Sequence, residues 1–262
     1  MPRLAHLLLP FLLACASALP AYAQTRADAG TPATVRFGDS KPVNWTGRAP
    51  DRYQIHGIDV ARFQGEIDWR KARRAGVSFV FMKATEGGDL LDPLFKDHWR
   101  GAKRAGIPRG AYHFYYFCTP PEVQARWFIR NVPKNKGTLP PVLDMEWNPF
   151  SPTCAKVRPP GHEVRRQMKV FMDMVERRYG QRPIIYTTPQ FYRDAGLDRL
   201  KNEEFWLRST AKTPAQAYPQ QRWSFWQYSG TGLIDGIGKE VDLNVFAGSP
   251  NNWSAWLKAR QR

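Results

Sequence analysis

Three cysteines in 262 residues are too few for a disulfide-dense scaffold, and acids are scarce, with 23 Asp and Glu against 39 Lys and Arg. The low cysteine count leaves the fold to a hydrophobic core, which 42% apolar and 13% aromatic residues can supply. The shortage of acids leaves a formal net charge of +16, which attracts polyanions such as nucleic acid, anionic lipid headgroups or acidic wall polymers without naming a reaction. No apolar run reaches the roughly 18 residues of a permanent membrane span. Tandem repeats and long low-complexity tracts are also missing, so coiled-coil, collagen-like and polytopic membrane classes are excluded.

The first 23 residues carry Arg3, an apolar run from Leu7 to Leu19 broken by Pro10, and the small-residue site Ala21-Tyr22-Ala23. That combination predicts a cleaved secretory signal, 1–23, and a secreted or periplasmic protein. Its removal takes one arginine and no acid, so the mature chain keeps +15. Leu12-Leu13-Ala14-Cys15 loosely resembles a lipoprotein box, which leaves a lipid anchor through Cys15 as the alternative. After cleavage near Ala23 only Cys118 and Cys154 remain, an even pair for an oxidising compartment, and one disulfide is expected.

Residues 24–54 are polar and rich in Thr, Ala, Gly and Pro, with Phe37 and Trp45 as large anchors, and are read as an extended leader. From Ile55 onward short apolar runs alternate with segments of helical period, the signature of βα units on a parallel sheet. Strands are predicted at Ile55–Val60, Val77–Ala84, Gly110–Phe117, Pro141–Glu146 and Pro183–Thr187. Thr119-Pro120-Pro121-Glu122 has the form of a capping box opening a helix. The longest helix is predicted over Gly161–Tyr179, with Val164, Met168, Phe171 and Val175 on its buried face. Phe205–Arg208, Trp223–Tyr228 and Val241–Leu243 follow as short strands with little helix between them. The expected fold is α/β: a single irregular (β/α) TIM-like barrel over 55–262, with about five regular βα units and a strand-rich C-terminal part.

Catalytic groups in such a barrel sit where strands end at the mouth, so the polar residues at those ends are the candidates. They are acids: Asp59 closes the first strand, Asp144 and Glu146 the fourth, and Asp242 lies in the last. Strand alternation puts Asp144 and Glu146 on one face, with Leu143 and Met145 on the other. Carboxylates gathered in one cavity repel, and one of them should hold a proton near neutral pH. Glycosidic cleavage needs that proton on the leaving oxygen and a second group to stabilise charge at the sugar ring. Tyr112, Tyr186 and Trp226, with Trp147 and Trp206 behind them, are candidate platforms for sugar rings, and Lys83 is a candidate ion-pair partner for one of the acids at the substrate site. His113 alternates with Tyr112 and Phe114 and should face the helices.

Six blocks in order then carry a resemblance: Gly57-Ile58-Asp59-Val60 with Phe63-Gln64-Gly65 and Ile67-Asp68-Trp69; Lys83-Ala84-Thr85-Glu86-Gly87; Gly110-Ala111-Tyr112-His113-Phe114; Leu143-Asp144-Met145-Glu146; Trp226-Gln227-Tyr228; and Val241-Asp242-Leu243-Asn244. Together they resemble the glycoside hydrolase family 25 lysozymes over about Ile55–Phe246. The resemblance implies a muramidase that cleaves the β-1,4 bond between N-acetylmuramic acid and N-acetylglucosamine of peptidoglycan, with no cofactor and no metal. It implies Glu146 as general acid, Asp144 as the group that orients or stabilises the 2-acetamido substituent, and Asp59 and Asp242 as the remaining acids of the site. Substrate-assisted and direct carboxylate routes both stay open. One departure is Trp206-Leu207-Arg208-Ser209-Thr210, where the family often has an Ala-x-Tyr element. No wall-binding repeat follows Phe246, so targeting would rest on the basic surface and the cleft.

Cys118 and Cys154 follow neighbouring strands, and a bridge between them would brace the loops beside Glu146. Two other readings compete. Clustered carboxylates and basic charge would suit a metal-dependent phosphodiesterase, although no His-x-His pair or phosphate-cradling Gly loop accompanies the acids. A catalytically weak, wall-binding barrel would keep the fold and lose turnover. The expected partner is the peptidoglycan glycan strand, with anionic envelope polymers on the basic surface; a nucleic-acid partner and a stable membrane span are not expected, and the chain is read as a monomer.

Overall fold

The computed structural model describes Met1 and residues 37–135, 137–151 and 153–260. The expected signal sequence, the Cys15 alternative and the first part of the leader lie outside the described residues. In chain order the strands are β1 (Gly38–Asp39), β2 (His56–Val60), β3 (Phe79–Glu86), β4 (Leu90–Leu91), β5 (Arg109–Phe114), β6 (Val142–Met145), β7 (Ile184–Thr187), β8 (Phe205–Arg208), β9 (Phe225–Leu233) and β10 (Val241–Phe246). The helices are α1 (Trp69–Arg74), α2 (Phe95–Arg104), α3 (Pro121–Asn131), α4 (Gly161–Tyr179), α5 (Pro189–Asp194), α6 (Pro214–Ala217) and α7 (Pro250–Arg260).

Eight strands close on themselves in the order β2-β3-β5-β6-β7-β8-β9-β10, and α1 to α5 complete the five regular βα units. Pairing is parallel from β2 round to β9, whereas β10 runs antiparallel to both β9 and β2. That reversal positions the site, because the start of β10, and not its end, lies beside the carboxyl end of β2. Asp242 is the direct register partner of Asp59.

Alternation divides each strand between two cores. Outward residues, among them Ile58, Met82, Leu143, Met145, Ile185 and Leu207, pack beneath the helices. Inward residues build an aromatic interior, in which Phe81 stacks on Trp206 at 4.7 Å and Phe79 meets Phe225 edge-on at 5.0 Å. So many rings fit only because a neighbouring strand gives up its side chain. A Cβ on Gly57 would lie 2.6 Å from the Phe79 ring, well inside contact distance. Trp253 of α7 packs on Phe79 and Phe225 at the end of the barrel opposite the acids, a helix that the sequence periodicity did not announce.

Two local expectations differ from the structure. Residues 37–54 pack onto the outside of the barrel: β1 pairs with β9, Trp45 meets Trp226 at 5.0 Å and Tyr53 is buried. The capping box at Thr119 does not form, since α3 starts at Pro121 behind Pro120 with no capping side chain. Gln124 ties the preceding loop to the helix: its amide N–H donates to the carbonyls of Tyr116 and Thr119 while its oxygen accepts from the Tyr116 amide.

Candidate active site

The cleft, about 500 Å³, opens at the barrel mouth and is lined by all four predicted acids together with Lys83, Tyr112, Trp147 and Tyr186. Asp144 sits at the end of β6 and Glu146 just beyond it, so strand alternation carries both inward while Leu143 and Met145 pack outward. Asp144 is buried, and its Oδ1 has no hydrogen-bond partner among the described residues. Glu146 is half-buried.

Asp59 is held by a relay of fixed polarity. The Trp206 indole N–H, which can only donate, binds Asn244 Oδ1 at 2.7 Å, and this turns the Asn244 amide N–H toward Asp59 Oδ2 at 2.8 Å. On the other side the Tyr186 hydroxyl donates to Gln227 Oε1 at 2.9 Å, and Gln227 in turn donates to the same Asp59 oxygen at 2.8 Å. Burial pushes Asp59 up to about 6, against the lowering effect of these two amide hydrogen bonds. Asp242 is raised as well, first by burial and then by the facing charge of Asp59, so the two carboxyls compete for a proton. Asp144 is raised by burial and by Glu146; Glu146 is raised by burial, against the pull of Arg208 and Lys83. The arrangement supplies a carboxyl able to carry a proton beside acceptors that are already oriented.

Lys83 lines the cleft, but its ion-pair partner is none of the four acids: Nζ lies 2.5 Å from Glu86, which also accepts from the Tyr116 hydroxyl. Lys83 and Glu86 are three residues apart across the bulge in β3, so the pair forms locally. Trp226 does not reach the cleft. It is fully buried on the outward face of β9, against Trp45 and Tyr53, and donates to the Ser209 carbonyl at 2.8 Å; the inward position belongs to Gln227. Trp147 forms a wall, fixed by Phe191 at 4.6 Å and by an N–H donated to Asp194 at 2.8 Å. His113 faces the helices as expected, stacked on Phe171 at 4.9 Å and bonded to Thr85 and Gln124. Burial lowers it to about 4, so it is neutral at physiological pH.

Several cleft residues were not singled out as sugar contacts by the sequence. Phe63 and Phe150 line it at 60% and 92% exposure, which makes them open aromatic faces and not core. Phe63 lies in one of the quoted motifs, but no periodicity separates an exposed aromatic residue in a loop from a buried one. Arg208 also lines the cleft, from the end of β8. Cys118 and Cys154 are joined as a disulfide with Cα atoms 5.4 Å apart, tying the loop after β5 to the one that carries Asn148, Pro149 and Phe150. Among the described residues, no three His, Cys, Asp or Glu side chains are grouped to hold a metal ion. No helix among them is long and apolar enough to cross a membrane.

A closed α/β barrel whose mouth collects carboxylates between aromatic walls has the architecture of a glycoside hydrolase. Residues 58–237 match glycosyl hydrolases family 25, and the chain belongs to that family. It is 37% identical over 221 residues to the uncharacterized protein YegX of Escherichia coli O6:H1, covering 82% of this chain and 78% of that one. Lysozyme M1 of Streptomyces globisporus is 34% identical over 76% of this chain and 70% of its own. A family 25 glycosyl hydrolase from Bacillus anthracis superposes with a TM-score of 0.73 at 37% identity, over 79% of this chain and 95% of that structure.

Proposed function

We propose that this glycoside hydrolase is an exported muramidase, cutting the β-1,4 bond between N-acetylmuramic acid and N-acetylglucosamine in peptidoglycan. The observation that carries the reading is the meeting of Asp59, Asp144, Glu146 and Asp242, drawn from three strands, in one aromatic-walled cleft. The family membership and the similarity to a Streptomyces lysozyme support the choice of substrate.

In this reading Glu146 gives its proton to the leaving glycosidic oxygen as the C1–O bond breaks. Asp144, buried with one oxygen unpartnered, accepts the N–H of the 2-acetamido group and turns its carbonyl oxygen toward C1. Asp59, locked by Asn244 and Gln227, supplies fixed negative potential for the charge that grows at the ring, with Asp242 facing it at the cleft. Water, deprotonated by the Glu146 carboxylate, then completes hydrolysis. Tyr112 and Tyr186 in the floor and Trp147, Phe63 and Phe150 in the walls offer faces for the sugar rings.

Export through the predicted signal of residues 1–23 would deliver the enzyme to the wall, with its basic surface drawn to anionic envelope polymers. Mass spectrometry of purified peptidoglycan after digestion tests the assignment. Products ending in reducing muramic acid are expected; reducing-end glucosamine, or released peptide alone, would contradict it. Undiminished wall lysis in chelator would separate it from a metal-dependent phosphodiesterase.

A further inference from the structure

Of the two cations lining the cleft, Lys83 is committed to Glu86. Arg208 is not. Its backbone is fixed by β8 pairing with β9 and by the Tyr218 hydroxyl, which donates to its carbonyl at 2.6 Å. Its guanidinium makes no hydrogen bond and no ion pair within 4.0 Å among the described residues, although the chain is only half-exposed and acts electrostatically on Glu146, Asp59 and Asp242. Guanidinium is charged at every working pH, and its planar fork of donors matches a carboxylate in two parallel hydrogen bonds. A guanidinium with unused donors, facing a substrate groove, is free to take such a group.

Resting on the muramidase reading, we infer that Arg208 is a specificity residue that binds the 3-O-lactyl carboxylate of muramic acid units carrying no stem peptide. Muramic acid is the one sugar of the strand with a carboxylate next to the scissile bond, and that carboxylate is free only when the lactyl group is not in amide linkage. The preferred substrate is therefore peptide-free glycan, and the reaction that supplies it is hydrolysis of the lactyl–peptide amide. In intact, peptide-bearing strands the lactyl group itself offers Arg208 only a neutral carbonyl.

The test uses peptide-free glycan strands and the same strands after carbodiimide coupling of their carboxylates to methylamine, which turns each carboxylate into a small neutral amide. The wild-type enzyme should favour the carboxylate form in kcat/KM by about tenfold or more, mainly through KM. Arg208→Gln should bring that ratio to within about twofold of one, and Arg208→Lys should retain part of it. Thermal unfolding confirms that the variants fold, and the ratio between two substrates is a readout that a general structural defect would not move. A wild-type enzyme indifferent to amidation, or an Arg208→Gln loss equal on both substrates, would overturn the inference. If neither substrate yields reducing-end muramic acid while intact peptidoglycan does, the inference falls and the muramidase reading stands; if intact peptidoglycan does not either, both fall.

Discussion

At the residue scale burial of a charge-bearing group is most costly at Asp144. Its carboxyl is buried with an unpartnered oxygen and is held above the ordinary carboxylate range by burial and by Glu146. A group whose pKa is raised on folding contributes stability below its unfolded value, near 4, and loses it as pH climbs through the folded value. Asp144→Asn removes that dependence, so wild-type stability should fall relative to the variant as pH rises above about 4. His113, lowered to about 4 by burial, favours the folded state as pH rises, but it is common to both proteins and cancels in the difference. Thermal unfolding at pH 4 and pH 7 measures this; a constant gap would contradict it. The same variant should lose about a hundredfold in kcat on peptidoglycan if Asp144 meets the acetamido group. Asp144 and Glu146 were legible as a pair because Leu143 and Met145 alternate with them. Trp226 was not, since Phe225, Trp226 and Gln227 are all buried and alternation cannot say which face is the cleft.

Among the elements, the inner strand faces and the loops at the mouth carry separate predictions. Gly57 on β2 leaves room for Phe79, so Gly57→Ala should destabilise the fold by about 1–3 kcal/mol through overpacking, read as a lowered denaturant midpoint. An unchanged midpoint would mean that the ring moves aside freely. The Cys118–Cys154 bridge spans a sequence separation of 36, and replacing both residues with Ser should cost about 4 kcal/mol by the chain-entropy argument. Because the bridged loop presents Phe150 to the cleft, KM should rise more than kcat falls; an unaltered KM would detach that loop from substrate binding. The βα units were readable from their apolar periods, and α4 matches the predicted Gly161–Tyr179 span. The reversed direction of β10 was not readable, because a short apolar run looks the same in either sense and only its neighbours fix it. β1 went unseen because two residues carry no period, and its pairing with β9 is what ties residues 37–54 to the barrel.

For the whole molecule, a net charge of +16 is concentrated on exposed side chains such as Arg70, Lys71, Arg73 and Arg74 of α1. If that surface recruits anionic wall polymers, co-sedimentation with purified walls should drop steeply between about 50 and 500 mM salt, as screening shortens the reach of each charge. Salt-insensitive binding would leave recruitment to the cleft alone. The barrel and the acids at its mouth were legible in the chain; the polar relay behind Asp59 was not, since Trp206, Asn244, Tyr186 and Gln227 meet only when the barrel closes. The most direct test of the account is the rate at which Glu146→Gln releases reducing-end muramic acid from purified peptidoglycan, measured beside wild type at equal folded concentration. A fall of about a thousandfold or more, with thermal stability retained, is the expected result; a variant that keeps the wild-type rate would show that the transferred proton comes from elsewhere.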